Sequence, residues 1–260
     1  MRRQRPERLV RSLSVSGMRH SYMEHYNISR LVRNVILYHV AAMPGFLAES
    51  LPPDASLYPA PGTAIAAEDG EVLLTILRPE VNLALWHRPI PEDFTQGLAP
   101  LLAHAPFCAE AEGIVGEATD QLAARLPCPA PLDLLLDIRR LAVAFSVLAE
   151  CDGRARLRLE AITGPGCPRW HADAVGLRML CTYRGAGTQW LCRQGGAALA
   201  RTLPAGPHRA AGQMAPGTVA VLKGERFPGN AGLGCIHRSP PAGAARLLLC
   251  IDQPGRIPVA

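Results

Sequence analysis

What this chain lacks removes several classes of protein before any motif is weighed. None of its apolar runs approaches the ~18 consecutive residues of a membrane-spanning helix. Its eight cysteines include no Cys-x-x-Cys pair, and no secretory signal with an apolar centre is present. The cysteines in strand-like runs (Cys181, Cys235, Cys250) are therefore expected as reduced, buried thiols in a cytoplasmic protein. There is no Gly-x-Ser-x-Gly elbow, phosphate-binding Gly-Lys-Ser loop or dinucleotide fingerprint. Ser239 follows His237 too closely for a hydrolytic triad. Aromatic residues make up only 5% of the chain, and Trp170, Tyr183 and Trp190 read as core or pocket wall rather than as a nucleic-acid stacking platform, which needs basic residues interleaved with the rings. No internal repeat is evident.

Charge is also scarce outside one segment. The net charge is +5, yet residues 1–33 alone hold eight arginines against Glu7 and Glu24. The remainder is close to neutral, which gives no support for a nucleic-acid surface. Residues 1–42 form a basic arm, expected to be poorly ordered. A transit peptide is a second reading, being Arg-rich and acid-poor. A third places the true start at Met43 rather than Met1. Residues 1–42 would then be leader, and Asn34–His39 can be back-translated into an AT-rich near-palindrome of the kind metal-responsive repressors bind.

Pro and Gly, at 24 each, are abundant and punctuate the rest into short elements. Residues 43–153 are expected to be a mainly helical backing region. Val72–Leu77 suits a strand or a short helix, Val81–Trp86 a strand, Pro91 to about His104 a helix with acids in its first turn, and Glu110–Leu126 another helix. The clearest helix spans 131–150, with Pro131 in its first turn, Gly153 past its end and apolar residues around most of its circumference. It is expected to be largely buried, across the back of a sheet.

Residues 154–256 read as strands. Leu157, Leu159 and Ala161 alternate onto one face. Leu177–Tyr183, Thr188–Leu191, Thr218–Leu222, Gly234–Ile236 and Arg246–Ile251 follow, separated by Gly or Pro clusters. This spacing predicts a sandwich or barrel, and with the helices an α+β class.

One constellation carries chemistry. His171 and Asp173 stand two apart, so on a strand both side chains reach one side. His237 and then Arg246 follow. Two imidazoles and one carboxylate in this order suit a facial Fe(II) triad with open positions opposite, and Arg246 suits bidentate recognition of an oxo-acid carboxylate. The plain alternative is a loop histidine, a satisfied polar histidine and a solvated arginine. Cys167 and Cys181 with His237 offer a thiolate-rich zinc site, without tight ligand spacing to support it. Lys223, Glu225 and Asn230 crowd a turn between two strands, read either as site-lining groups or as an ordinary surface turn.

The C-terminal half resembles the double-stranded β-helix core of Fe(II)- and 2-oxoglutarate-dependent oxygenases, through His171-x-Asp173, Gly187-Thr188, Pro216–Val219, and His237 with Arg246. About residues 70–255 are similar to the bacterial domain of unknown function 1826, through Val81–Arg88, His171–Asp173, Leu180–Thr182, Gly187–Leu191, Leu222–Glu225, Pro228–Asn230 and His237–Pro241. The first resemblance implies a jelly-roll core holding Fe(II) on His171, Asp173 and His237. Arg246, Tyr183 and Thr182 would bind 2-oxoglutarate, and Lys223, Glu225, Asn230, Trp190 and Arg238 would line the pocket. The substrate, small molecule or protein, is not legible. The second resemblance implies a link to zinc-responsive genes. The same residues would then serve, as the alternative, a non-catalytic Zn(II)-binding accessory protein of zinc homeostasis. A third reading is an inert barrel that binds a small ligand.

Overall fold

A computed structural model describes residues 63–208 and 211–255. The basic arm and the alternative start at Met43 lie outside the described residues. The chain forms two sheets. The larger has seven strands: β1 (Thr63–Ala67), β2 (Val81–Trp86), β3 (Phe107–Ile114), β4 (Arg154–Ile162), β5 (Leu177–Arg184), β8 (Val219–Lys223) and β10 (Arg246–Asp252), in the order β1-β2-β8-β5-β10-β4-β3. The smaller has three, in the order β7-β6-β9: β6 (Gln189–Leu191), β7 (Ala211–Gln213) and β9 (Ile236–Arg238). All pairings are antiparallel except β1 with β2.

Two cores result, one on each face of the large sheet. On one face Met179, Cys181, Tyr183, Val219, Val221 and Leu249 pack beneath the long helix Leu132–Leu148 and the helix Val115–Ala124. On the other, Leu180, Ala220, Leu222, Leu248 and Cys250 pack toward the small sheet, with Met214, Cys235 and Trp190. Alternation along each strand divides the residues between the two. The long helix carries a buried acid, Asp137, on its inner side. Its outer side is less covered than its apolar circumference predicts: Leu132, Leu136 and Val143 are exposed.

Most of the expected strands appear within two residues of their expected bounds. Three features differ. The region expected to be mainly helical also supplies β1, β2 and β3 to the sheet. Residues 110–114, expected as the start of a helix, belong to β3, and the helix begins only at Val115. Ala and Glu favour helices. Here, however, they alternate: Ala109 and Ala111 face the helix-covered core, while Glu110 and Glu112 take the other face beside β4. Pairing with β4 overrides the local preference. Residues 70–77, read as strand or short helix, form a 3-10 helix capped by Asp69.

Candidate metal centre

His171 and His237 are brought together by a single bridge. Each backbone N–H donates to the other's carbonyl, at 3.0 and 2.9 Å. Trp190 faces His237 from the opposite side, across β6, so His237 sits mid-strand in the small sheet, buried, and His171 is half-buried at its margin. Asp173 lies just past the bridge, and its position is fixed from a distance. The turn after β8 donates Gly224 N to Gly176 O (2.8 Å), Glu225 N to Asp173 O (2.8 Å) and Arg226 N to Val175 O (3.0 Å). The approach is close enough that a Cβ at Gly224 would sit 2.3 Å from Val175 O and 2.6 Å from Asp173 O.

One ligand atom from each of His171, Asp173 and His237 lies within 4.8 Å of the others. His237 Nε2 is 3.2 Å from Asp173 Oδ2, and His171 Nε2 is 3.7 Å from Asp173 Oδ1. The ring centroids are 4.4 Å apart. Each Nδ1 meets a backbone carbonyl, Arg169 O at 2.9 Å for His171 and Cys235 O at 3.1 Å for His237. A carbonyl only accepts, so the network assigns the proton to Nδ1 and leaves an Nε2 lone pair aimed at Asp173. Burial and the neighbouring His237 push the His171 imidazole below its ordinary pKa, favouring the neutral form that a ligand requires. Burial alone would raise the Asp173 carboxyl. His237, Arg178 and His171 outweigh it and hold the group well below the usual carboxylate range. Arg178, on β5, donates Nη1 to Asp173 Oδ2 (2.8 Å) and binds both oxygens of Asp252 (2.7 and 2.9 Å).

The three residues open into a cavity of about 1090 Å³, floored by β5, β10, β4 and β3. Arg246, the first residue of β10, lines the same cavity and is buried. Its Nη2 donates to Ser239 Oγ at 2.7 Å, while its buried Nη1 has no hydrogen-bond partner. Ser239 is itself anchored, accepting from Cys167 N at 3.1 Å. Gly166 makes this possible: its φ is +58°, and a Cβ there would lie 2.7 Å from Ser239 Oγ and 3.1 Å from Arg246 Nη2.

Residues 67–252 match the model of a family described as a protein of unknown function, DUF1826. The chain belongs to the DUF1826 family. Comparison with curated proteins gave no match. Among solved structures, this DUF1826 chain is similar to a dioxygenase for auxin oxidation from rice, at 14% identity and a TM-score of 0.47, covering 75% of this chain and 83% of that one. It is similar also to dioxygenase for auxin oxidation 1 from Arabidopsis thaliana in complex with 2-oxoglutarate (12%, TM-score 0.46, 77% and 94% covered). A third is a Pseudomonas putida prolyl-4-hydroxylase (14%, TM-score 0.39, 71% and 93% covered).

The remaining expected site residues of this DUF1826 chain divide by strand face. Thr182 shares the parity of Arg178 and Leu180, which line the cavity. Tyr183 has the other parity and belongs to the opposite core, where its hydroxyl donates to Asp137 Oδ2 at 2.8 Å. Lys223 likewise points away from the cavity: it is buried, donates to Arg78 O at 2.6 Å and lies over Phe227. Glu225 accepts from Ala197 N and Gly232 N, and Asn230 donates to Gly224 O, so both brace the turn from within. That turn acts on the site through its backbone, by holding Asp173. Trp190 packs under the small sheet against Gly212. Arg238 lines the cavity, but its guanidinium is engaged by Gln189 Oε1 (2.8 Å), Ala205 O (2.7 Å), Gly206 O and the face of Trp170.

The thiolate alternative loses its geometry. His171, Asp173 and His237 are the metal-capable group found among the described residues, and no cysteine joins them. Cys181 faces the other core and Cys167 is exposed. Sequence reasoning missed Arg178 and Ser239. A charged residue between Leu177 and Met179 on a central strand was the available signal for Arg178. Nothing local distinguishes Ser239.

Proposed function

We propose that this protein is a mononuclear non-haem oxygenase using Fe(II) and 2-oxoglutarate on an unidentified substrate. The observation that carries the reading is the pairing of two features in one cavity: the two-histidine, one-aspartate cluster, and the buried, acceptorless Nη1 of Arg246. The donor set suits Fe(II), with three ligands on one side. His171 and His237 would ligate through Nε2, their Nδ1 protons held by carbonyls. Asp173 would ligate through the carboxylate that Arg178 and the turn after β8 hold in place. Arg246 would receive the far carboxylate of 2-oxoglutarate, with Ser239 fixing the plane of the guanidinium. When bound, iron and 2-oxoglutarate together supply O2 activation for oxidation of a substrate C–H bond; the chain binds, orients and shields.

The strand order supports the finer reading of the fold as a double-stranded β-helix, with residues 154–256 as its core. From β4 onward the chain passes between sheets, placing β4, β5, β8 and β10 in one, and the His171 bridge, β6, β7 and β9 in the other.

Anaerobic titration with Fe(II) and 2-oxoglutarate tests the proposal. A weak visible charge-transfer band, and succinate once O2 is admitted, is the expected result, both lost in Asp173→Ala. Tight Zn(II) binding without succinate would move the reading to the zinc accessory role. Thermal stability indifferent to either metal, in both the parent and His171→Ala, would leave the inert barrel.

A further inference from the structure

We propose that the substrate carries a carboxylate and that Arg158, on the open floor of the cavity, binds it. The inference rests on the oxygenase reading, which already commits Arg246 to the co-substrate.

Five arginines line the cavity. Three are satisfied by the protein. Arg156 pairs with Glu110 at 2.7 Å, Arg178 with Asp173 and Asp252, and Arg238 with Gln189 and two carbonyls. The other two are not: buried Arg246 keeps Nη1 without an acceptor, and Arg158, its side chain one-third exposed on the cavity floor, keeps Nε without one. Arg158 Nε lies 3.3 Å from Glu160 Oε1, but this is a charge contact without hydrogen-bond geometry. A buried N–H with no acceptor is uncommon in a native fold and calls for a ligand or another specific cause. Two guanidiniums in one cavity, each with a donor that the protein leaves unmatched, point to two anionic groups.

They are separate stations. In the β4–β10 register Arg246 faces Ile162, and Arg158 stands four residues further along β4, facing Cys250. At the rise of a strand the two rows are about 13 Å apart. The triad overhangs the floor from the small sheet, so a molecule reaching from Arg158 toward it would occupy the β3–β4 side of the cavity.

The surroundings of Arg158 select the kind of anion. Glu110 is its cross-strand partner and Glu160 follows two positions on, both facing the cavity. Glu110 is paired with Arg156 and Glu160 stands beside Arg158, so the neighbourhood is close to neutral, which disfavours a phosphate dianion and suits a singly charged carboxylate.

The test uses propionate and inorganic phosphate, added separately to the full-length protein saturated with Zn(II) and 2-oxoglutarate. The readout is the Nε–H NMR signal of Arg158, assigned by its disappearance in Arg158→Lys. Propionate should move this signal saturably, and phosphate at equal concentration should not. In Arg158→Lys, which keeps the charge, propionate binding followed on neighbouring backbone amides should weaken at least tenfold. A signal that propionate leaves in place, or that phosphate moves equally, overturns the proposal, as does unchanged propionate binding in the variant. The oxygenase reading fails separately: 2-oxoglutarate would then leave the Arg246 signal unmoved, while a propionate response at Arg158 would still uphold the carboxylate site.

Discussion

Two arginines stand on opposite sides of the large sheet, Arg88 just past the end of β2 and Arg246 at the start of β10, and they are treated in opposite ways. Arg88, under the long helix, is fully engaged. It binds both oxygens of Asp137 at 2.6 and 2.7 Å and donates Nε to Gly217 O, while Tyr183 completes the carboxylate. Burial disfavours its charge, yet Asp137 more than compensates and raises its pKa. Arg246, on the cavity face, has one hydroxyl partner and an open Nη1, and burial lowers its pKa. A closed network holds elements together. An open one leaves hydrogen-bonding capacity for something that arrives later.

The sharpest way to break the contrast is to open the closed network. Asp137→Ala strands Arg88 in the core and should cost about 3–5 kcal/mol in urea denaturation. The double variant Arg88→Met, Asp137→Leu should recover most of that loss. If the single variant is nearly neutral, the Arg88–Asp137 pair does not hold these elements together.

On the other face the expectation inverts. Arg246→Met should leave urea stability unchanged or higher, since it removes an unsatisfied buried donor. It should also weaken 2-oxoglutarate binding to the Zn(II)-loaded protein about 10–100-fold, the equivalent of hydrogen bonds worth roughly 1.5–3 kcal/mol to a charged group. Urea denaturation reads the first quantity and titration calorimetry the second.

Which arginine was which could not be seen in the sequence, and the reason is physical. Residues 179–183 are buried on both faces, so only Arg178 before them hints at which parity meets the site. Thr182 and Tyr183 looked equally placed; one residue of parity puts them in different cores. Where one face is polar the pattern was legible, as in Leu157, Leu159 and Ala161 on β4. The order His171, Asp173, His237, Arg246 was legible too, because chain order and type are sequence properties. The role of residues 223–230 was not. That turn works through backbone N–H groups on Asp173, Val175 and Gly176, which any sequence able to form the turn would supply.

Lys223 is another buried cation, the single lysine of the chain, and it sharpens the comparison by pH. Burial lowers its pKa to about 8, because one carbonyl and the face of Phe227 do not replace a hydration shell. The folded state therefore releases the proton at lower pH than the unfolded chain does. The contribution of Lys223 to stability should rise as pH increases from about 8 toward the ordinary lysine value near 10.5. The buried thiols Cys181, Cys235 and Cys250 oppose it, since their raised pKa values favour the unfolded chain as pH rises. Over that window the thermal midpoint of the parent should gain several degrees relative to that of Lys223→Met, in which the thiol contribution is the same. Parallel curves for the two proteins would show that Lys223 stays charged in the fold.

The smallest change tests the division at its narrowest point. Tyr183→Phe removes one hydroxyl from the closed network and touches nothing in the cavity. Asp137 Oδ2 keeps its bond from Arg88 Nη2, so no buried charge is left bare. The loss should be about 1 kcal/mol, at the ordinary value of a buried hydrogen bond, with 2-oxoglutarate affinity unchanged. Had Tyr183 been a co-substrate ligand, the order would reverse: affinity would fall and stability would hold. The two measurements on one variant therefore decide which face of β5 this side chain serves, and with it whether the open donors of the cavity or the closed network behind it set co-substrate binding.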